Sequence, residues 1–296
     1  ALVVGLPRLL RRPAVAAAGA AVAATVLVAA PSPGWPPDGW LLVGCRVGQG
    51  DAFVLDAGRG AAVVVDAGPD PEAMDRCLDD LGVERVPLLV LTHYHEDHVG
   101  GVPGVLDGRR VAQVVASPLQ EPLDQAAAVA GWLDDAGVPL ATAAAGERRA
   151  AGSLEMTVLW PSAIIGEGEP AANDASVVLD VVSDGVRMLL AGDVEPPAQA
   201  ALRRAHPRLR ADVLKVPHHG SRSQDDALLT GLGARVALIG VGEDNRHGHP
   251  APATIELLED AGMNVWRTDT DGAVAVVRTP EGGLGVAARG VGVYGR

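Results

Sequence analysis

Three apolar runs in this chain end in the same way. "PLLVL" (87–91) runs into "THYHEDHVGG" (92–101), "RMLL" (187–190) into "AGDVE" (191–195), and "ADVL" (211–214) into "KVPHHGS" (215–221). A short apolar run bounded by turn-forming residues reads as a buried strand. Each cluster of His, Asp and Lys therefore stands where a rigidly held strand gives way to a loop. Such ends can aim several side chains at one point, and three of them in one chain support one another.

The first cluster holds three of the chain's eight histidines within six residues. His93 and His95 project the same way if strand geometry persists, while Asp97 and His98 reach a second point nearby. That is the spacing of a two-metal site: a histidine pair on one ion and an Asp–His pair on its neighbour, about 3.5–4 Å away. Asp193, after a glycine at a strand end, is placed to bridge two cations. His218 and His219 offer one more nitrogen ligand, and the sequence leaves open which of the two it is. No histidine occurs between His98 and His206, so Asn173 or Asp174 in "AANDAS", or water, would have to complete the shell. An oxygen-rich shell makes manganese competitive with zinc.

The remaining runs give the architecture. "LLVGCRV", "AFVLDA" and "AAVVVDA" read as consecutive antiparallel strands. "DPEAMDRCLDDLG" (70–82) reads as a helix capped by Asp70 and ended by Gly82. The second half repeats this grammar, with two strands joined at Ser183–Gly185 and helices in "PPAQAALRRAH", "DDALLTGLG" and "APATIELLEDAG". Two mixed sheets packed face to face with helices outside are expected. "AANDAS" and "TDTDGA" read as turns. "VGQGDA" (47–52) reads as a structural turn, with a place beside the site as the other reading. Cys45 and Cys77, 32 positions apart and in no CxxC, read as two small core residues rather than a disulfide framework.

Lys215 is the only lysine, and every other basic side chain is arginine. A compact ammonium suits a phosphate contact. The formal net charge of -13 argues against broad nonspecific binding of nucleic acid. An anionic substrate would need a local positive mouth, which Lys215, Arg222, Arg246, His247 and His249 could form.

Residues 14–30 form an apolar, Ala-rich run behind three arginines. Its span of about 25 Å is at the short limit for a membrane crossing. A signal peptide, a buried helix and a transmembrane helix all fit. "PSPGWPPDGW" (31–40) is a linker.

HxHxDH, then "GD", then "HHGS" resembles the metallo-β-lactamase fold. "RVGQGDAFVL", "VVVDAG", "NDASVVL", "DVLKVPHHGS", "NRHGHP" and "TDTDGAVAV" narrow the likeness to the C-terminal domain of the ComEC family of competence membrane channels, in order from about Leu41 to Val277. The resemblance implies an α/β, αββα four-layer sandwich over 41–290, preceded by a short transmembrane helix within 1–30. It implies two divalent ions, Zn or Mn, held by His93, His95, Asp97, His98, Asp193 and His219. Asp97, Lys215 and His218 would be catalytic, and Ser221, Asn245 and His249 would bind substrate. The implied activity is hydrolysis of one strand of DNA during uptake, at the cell membrane with the catalytic domain on the extracytoplasmic side. The rest of a polytopic channel, and other competence proteins, would be partners. Two rivals share this pattern: a secreted hydrolase of a small phosphodiester or lactone, and a non-catalytic module that guides DNA to the pore.

Overall fold

The computed structural model describes residues 34–290, apart from the side chain of Glu169. In chain order the elements begin with β1 (Trp40–Gly44), β2 (Phe53–Gly58), β3 (Ala61–Val65), α1 (Pro71–Asp80), β4 (Arg85–Leu91), α2 (Glu96–Val99) and α3 (Val102–Leu106). There follow β5 (Arg110–Val111), β6 (Val114–Ala116), α4 (Leu123–Asp135), β7 (Leu140–Thr142), β8 (Arg148–Ala151), β9 (Leu154–Trp160) and α5 (Glu169–Asp174). Next come β10 (Val178–Ser183), β11 (Val186–Leu190), α6 (Pro196–Ala205), β12 (Val213–Lys215), a 3-10 turn (Pro217–Gly220) and α7 (Asp226–Gly231). The chain closes with β13 (Val236–Ile239), α8 (Pro252–Asp260), β14 (Asn264–Arg267), α9 (Thr268–Asp271), β15 (Val274–Arg278) and β16 (Leu284–Ala288).

Among the described residues the strands form two sheets. The first runs β16-β15-β1-β2-β3-β4-β6-β7, with β5 beside β4; the second runs β14-β13-β12-β11-β10-β9-β8. Strands joined by tight turns pair antiparallel, as in β1–β2–β3 and β10–β11. Strands separated by a helix pair parallel, as in β3–β4 and β12–β13, because a crossover is needed to bring the chain back in the same direction. The expected face-to-face pair of sheets is what forms.

Period-2 alternation sends one set of side chains into the space between the sheets. Leu42, Phe53, Leu55, Val63 and Val65 of the first sheet meet Met188, Leu190, Val213 and Leu238 of the second in one buried cluster. The alternate set on the second sheet, including Leu189, Leu214 and Ala237, packs under Ala198, Leu202, Leu228 and Leu258 of α6, α7 and α8. Each such aliphatic side chain stabilises the fold by about 1.5–3 kcal/mol relative to exposure. α1 follows its sequence signals: the Asp70 carboxylate accepts from the N–H groups of Glu72 and Ala73 at the helix start.

Several expectations need correction. Cys45 and Cys77 are joined in a disulfide, which ties the end of β1 to α1. Spacing alone could not show this, because the pairing depends on how α1 folds back over the sheet. "AANDAS" contributes the last turn of α5 rather than a plain turn. "TDTDGA" forms α9, whose buried Thr268 hydroxyl accepts from Val241 N–H at 2.8 Å and holds the end of β13. The expected membrane helix over 14–30 lies outside the described residues. Among the described residues no helix is long and apolar enough to cross a membrane. Residues 34–39 of the expected linker contain no helix or strand.

Candidate metal centre

β4, β11 and β12 lie in different sheets, yet their C-terminal ends meet. β4 delivers His93, His95, Asp97 and His98; β11 delivers Asp193; the 3-10 turn after β12 delivers His218 and His219. Asp193 Oδ2 lies 3.2 Å from His98 Nε2 and 3.1 Å from His219 Nε2. Asp97 Oδ2 lies 3.1 Å from the same His219 nitrogen. Beside them, His93 Nε2 is 2.9 Å from His95 Nδ1, and the rings of His93 and His98 are 4.1 Å apart.

These spacings fit metal ligation. Two ligands bound at 2.0–2.1 Å to one tetrahedral ion stand about 3.3 Å apart, close to each of the distances above. The far sides of the His93, His98 and His219 rings are fixed as a ligand would require. His93 Nδ1 meets Thr92 Oγ1 at 3.1 Å, and Thr92 Oγ1 donates to Asp66 Oδ2 at 2.8 Å. His98 Nδ1 meets the same Asp66 oxygen at 2.9 Å. His219 Nδ1 meets Gly240 O at 2.9 Å. With Nδ1–H donating outward, the Nε2 of all three rings is left facing the cluster. Asp51, His98, Asp193 and His219, all buried, place ligand atoms within 4.8 Å of one another.

In the absence of cations, protons balance the carboxylates. Burial opposes charge on His98, but Asp193, Asp66 and Asp97 outweigh it and hold its pKa well above the ordinary imidazole value. Burial opposes charge on His219 too, and Asp193 and Asp51 overcome it in the same direction. Burial also favours the neutral acid at Asp97 and Asp193, yet His98 and His219 hold both carboxyls below the usual range. His93 is pushed well down by burial and by the neighbouring His98.

The sequence left His218 and His219 as alternatives. The structure brings His219 into the cluster and turns His218 outward, where its Nδ1 lies 3.4 Å from Glu195 Oε1. Adjacent rings diverge because both residues are left-handed, at φ 48° and 49°. That conformation costs about 1–2 kcal/mol per residue, and strain of this kind gathers at functional sites.

Of the two candidates in "AANDAS", Asp174 is engaged elsewhere: its Oδ1 accepts from Glu195 N–H at 2.9 Å. Burial and Glu195 raise its pKa to about 6. Asn173 donates from Nδ2 to Glu195 Oε1 at 3.1 Å. Its buried Oδ1 makes no hydrogen bond. His95, Asp97, Asn173, Asp193, Glu195 and His218 line an open groove of about 540 Å³.

The expected positive mouth is not arranged as the sequence suggested. Lys215 is 2% exposed and sits behind the cluster, paired with Asp51 and Asp193. Ser221 is buried, and its carbonyl accepts from Thr254 Oγ1 at 2.7 Å. Asn245 is used by its own loop: its Oδ1 accepts from the N–H groups of His247 and His249 at 3.0 and 3.1 Å. Its Nδ2 donates to the His249 carbonyl. His249, 5.5 Å from the His218 ring, is lowered to about 4 by burial and then by His218. Burial also lowers His218. Both rings are thus neutral near pH 7, able to hydrogen-bond but carrying no charge. Asp66 and Thr92, which orient two rings, were not singled out from sequence. "VVVDAG" shows the same signal as Asp193, a carboxylate closing an apolar run.

Residues 45–240 match the family described as the metallo-beta-lactamase superfamily. The chain is 31% identical to ComE operon protein 3 of Bacillus subtilis (strain 168) over 197 residues, which are 65% of this chain and 25% of that protein. It is 27% identical to competence protein ComA of Neisseria gonorrhoeae over 235 residues, 75% of this chain and 31% of the relative. The chain thus spans about a quarter to a third of the curated relatives it matches. Among solved structures, the CmlA beta-hydroxylase E377D mutant superposes with a TM-score of 0.52 at 15% identity, covering 78% of this chain and 52% of that one.

Proposed function

We propose, from the premise that this chain belongs to the metallo-beta-lactamase superfamily, that it is a metal-dependent phosphodiester hydrolase acting on single-stranded DNA during uptake. The observation that carries the reading is the convergence of His98, Asp193, His219 and Asp97 within hydrogen-bond distance across two sheets. The competence names of two relatives support the substrate and the setting. The Cys45–Cys77 disulfide supports an oxidising, extracytoplasmic location. The cell membrane, a polytopic channel and other competence proteins belong to the same proposal.

His93 and His95 would hold one ion; Asp97, His98 and His219 would hold the other; Asp193 would be shared. Asn173 Oδ1, a buried acceptor that makes no hydrogen bond, offers an oxygen in the stretch between His98 and His206 that holds no histidine, which favours manganese alongside zinc. When bound, divalent ions supply an acidified water and charge stabilisation at phosphorus. The chain's own residues do the rest. Asp66, Thr92 and Gly240 hold the rings in their binding orientation. His218 presents a neutral imidazole to the groove, where it can donate to a phosphoryl oxygen. The buried surround of His98 and Asp193 excludes water from their far sides.

The test is cleavage of a labelled single-stranded oligonucleotide with manganese, with zinc and with chelator. Metal-dependent cleavage that disappears in Asp97→Ala supports the reading. Hydrolysis of small phosphodiesters or lactones with no cleavage of DNA would move the assignment to a small-molecule hydrolase.

A further inference from the structure

Behind the metal centre lies a buried ion pair to which the proposed chemistry gives no part. We propose that Asp51 and Lys215 are positioning residues: together they fix which oxygen of Asp193 faces the cations, and so set the affinity for the ions that Asp193 shares. The inference rests on the metal-site reading above.

Lys215 Nζ has three protons to donate, and three acceptors surround it. They are Gly192 O at 2.6 Å, Asp193 Oδ1 at 3.1 Å and the Asp51 carboxylate. No proton is left for a phosphate, which separates this residue from the substrate contact that its chemistry suggested. With Oδ1 of Asp193 held by the ammonium, Oδ2 is the oxygen turned toward His98 and His219. Asp193 therefore offers the cations one oxygen, in one rotamer.

Asp51 anchors the ammonium and is itself fixed by the backbone. Its N–H donates to Asp97 O at 3.1 Å, and its carbonyl accepts from Gly68 N–H at 2.7 Å. Its Oδ1 stands 3.4 Å from His219 Nδ1, the ring nitrogen opposite the one that meets Asp97 and Asp193. The space for this carboxylate depends on Gly240, where a Cβ would lie 2.2 Å from Asp51 Oδ1. One residue thus touches the Asp97 loop, the His219 ring and the cation that orients Asp193. Partners that orient metal ligands change metal affinity by about 10- to 100-fold when removed.

The experiment is calorimetric titration of manganese into chelator-stripped protein, with melting followed in parallel. It compares wild type, Lys215→Met, Asp51→Asn and the double variant, which removes both charges and guards against a misfolded single variant. The expected result is manganese affinity weakened about 10- to 100-fold in each folded variant, including the double. A double variant that binds both ions as wild type does would overturn the proposal, even if its melting temperature falls, because the pair would then serve stability alone. A Lys215→Met protein with unchanged metal affinity but a raised KM for DNA would overturn it too, by making the lysine a substrate contact. Wild-type protein that binds manganese but cleaves no phosphodiester would refute the proposed substrate and leave this inference standing.

Discussion

Removing the Cys45–Cys77 disulfide is expected to destabilise the domain by an amount that follows from chain length. The two cysteines are 32 residues apart. Cross-linking a loop of that size removes about 12 cal/mol/K of entropy from the unfolded chain, or about 3.7 kcal/mol at 25 °C. For a domain of this size, each kcal/mol shifts the melting temperature by about 2–4 °C. The Cys45→Ala/Cys77→Ala variant should therefore melt about 7–15 °C below the oxidised protein. Reduced wild type should fall with it, since it too lacks the cross-link. The bond joins β1 to α1, and Cys45 N–H also donates to Ala52 O at 2.9 Å, closing the loop that carries Asp51. Differential scanning calorimetry with and without reductant measures the effect. A shift below about 2 °C in both the variant and the reduced protein would refute the reasoning, and with it the support that the disulfide lends to an extracytoplasmic setting.

The other expectations concern the metal centre. Asp66 accepts from Thr92 N–H at 2.7 Å and Thr92 Oγ1 at 2.8 Å, and meets His98 Nδ1. Asp66→Asn should weaken metal binding about 10- to 100-fold, and calorimetric affinity equal to wild type would remove its orienting role. Gly50 lies so close to the Asp97 carbonyl that a Cβ would stand 2.1 Å from that oxygen, at φ +147°. Gly50→Ala should cost about 2–4 kcal/mol and lower metal affinity as the Asp97 loop shifts; an unchanged melting curve would argue against that close approach. The stability of the stripped protein and the increment that metal adds should also change with pH in opposite senses. His98 and His219 are raised above 6.5 in the metal-free fold. Their contribution is present below pH 6.5 and is lost as pH rises through the raised values. Asp97 and Asp193 are lowered below 3.8, so theirs is present above that pH and is lost on further acidification. Stripped protein should therefore melt higher at pH 6 than at pH 9. Metal must displace the imidazole protons, so its stabilising increment should grow from pH 6 to pH 8. Thermal melts across this range check both trends, and parallel curves would contradict them.

The sequence revealed the parts of the site that local chemistry marks. His93, His95, Asp97 and His98 crowd one strand end, and Asp193 and the 218–219 pair follow two others, so their convergence was suggested by strand-end position and by the family resemblance together. The fold followed from the same runs, since alternation and crossover lengths determine which strands pair antiparallel and which pair parallel. What stayed hidden depended on the third dimension. Lys215 read as a phosphate contact because nothing local shows that β12 is central, where the side chain is buried against Asp51. Asn245 and Ser221 carry polar groups that loops consume internally, and a sequence does not say whether an amide faces its own backbone or a ligand. His218 and His219 were equivalent on paper. Only the folded chain separates the ring that joins the cluster from the ring that faces the groove. Asp66 was visible as a strand-end carboxylate, but its three hydrogen-bond donors come from residues 92 and 98 and appear only once β3 and β4 lie side by side.

The most direct test is the metal stoichiometry of the purified protein, measured by equilibrium dialysis against manganese and elemental analysis, for wild type and for Asp193→Ala. The proposed two-ion site predicts two ions per chain in the wild type, with tight binding lost when the carboxylate proposed to be shared is removed. A wild-type chain that retains no manganese or zinc, or an Asp193→Ala chain that retains as much as wild type, would contradict the account.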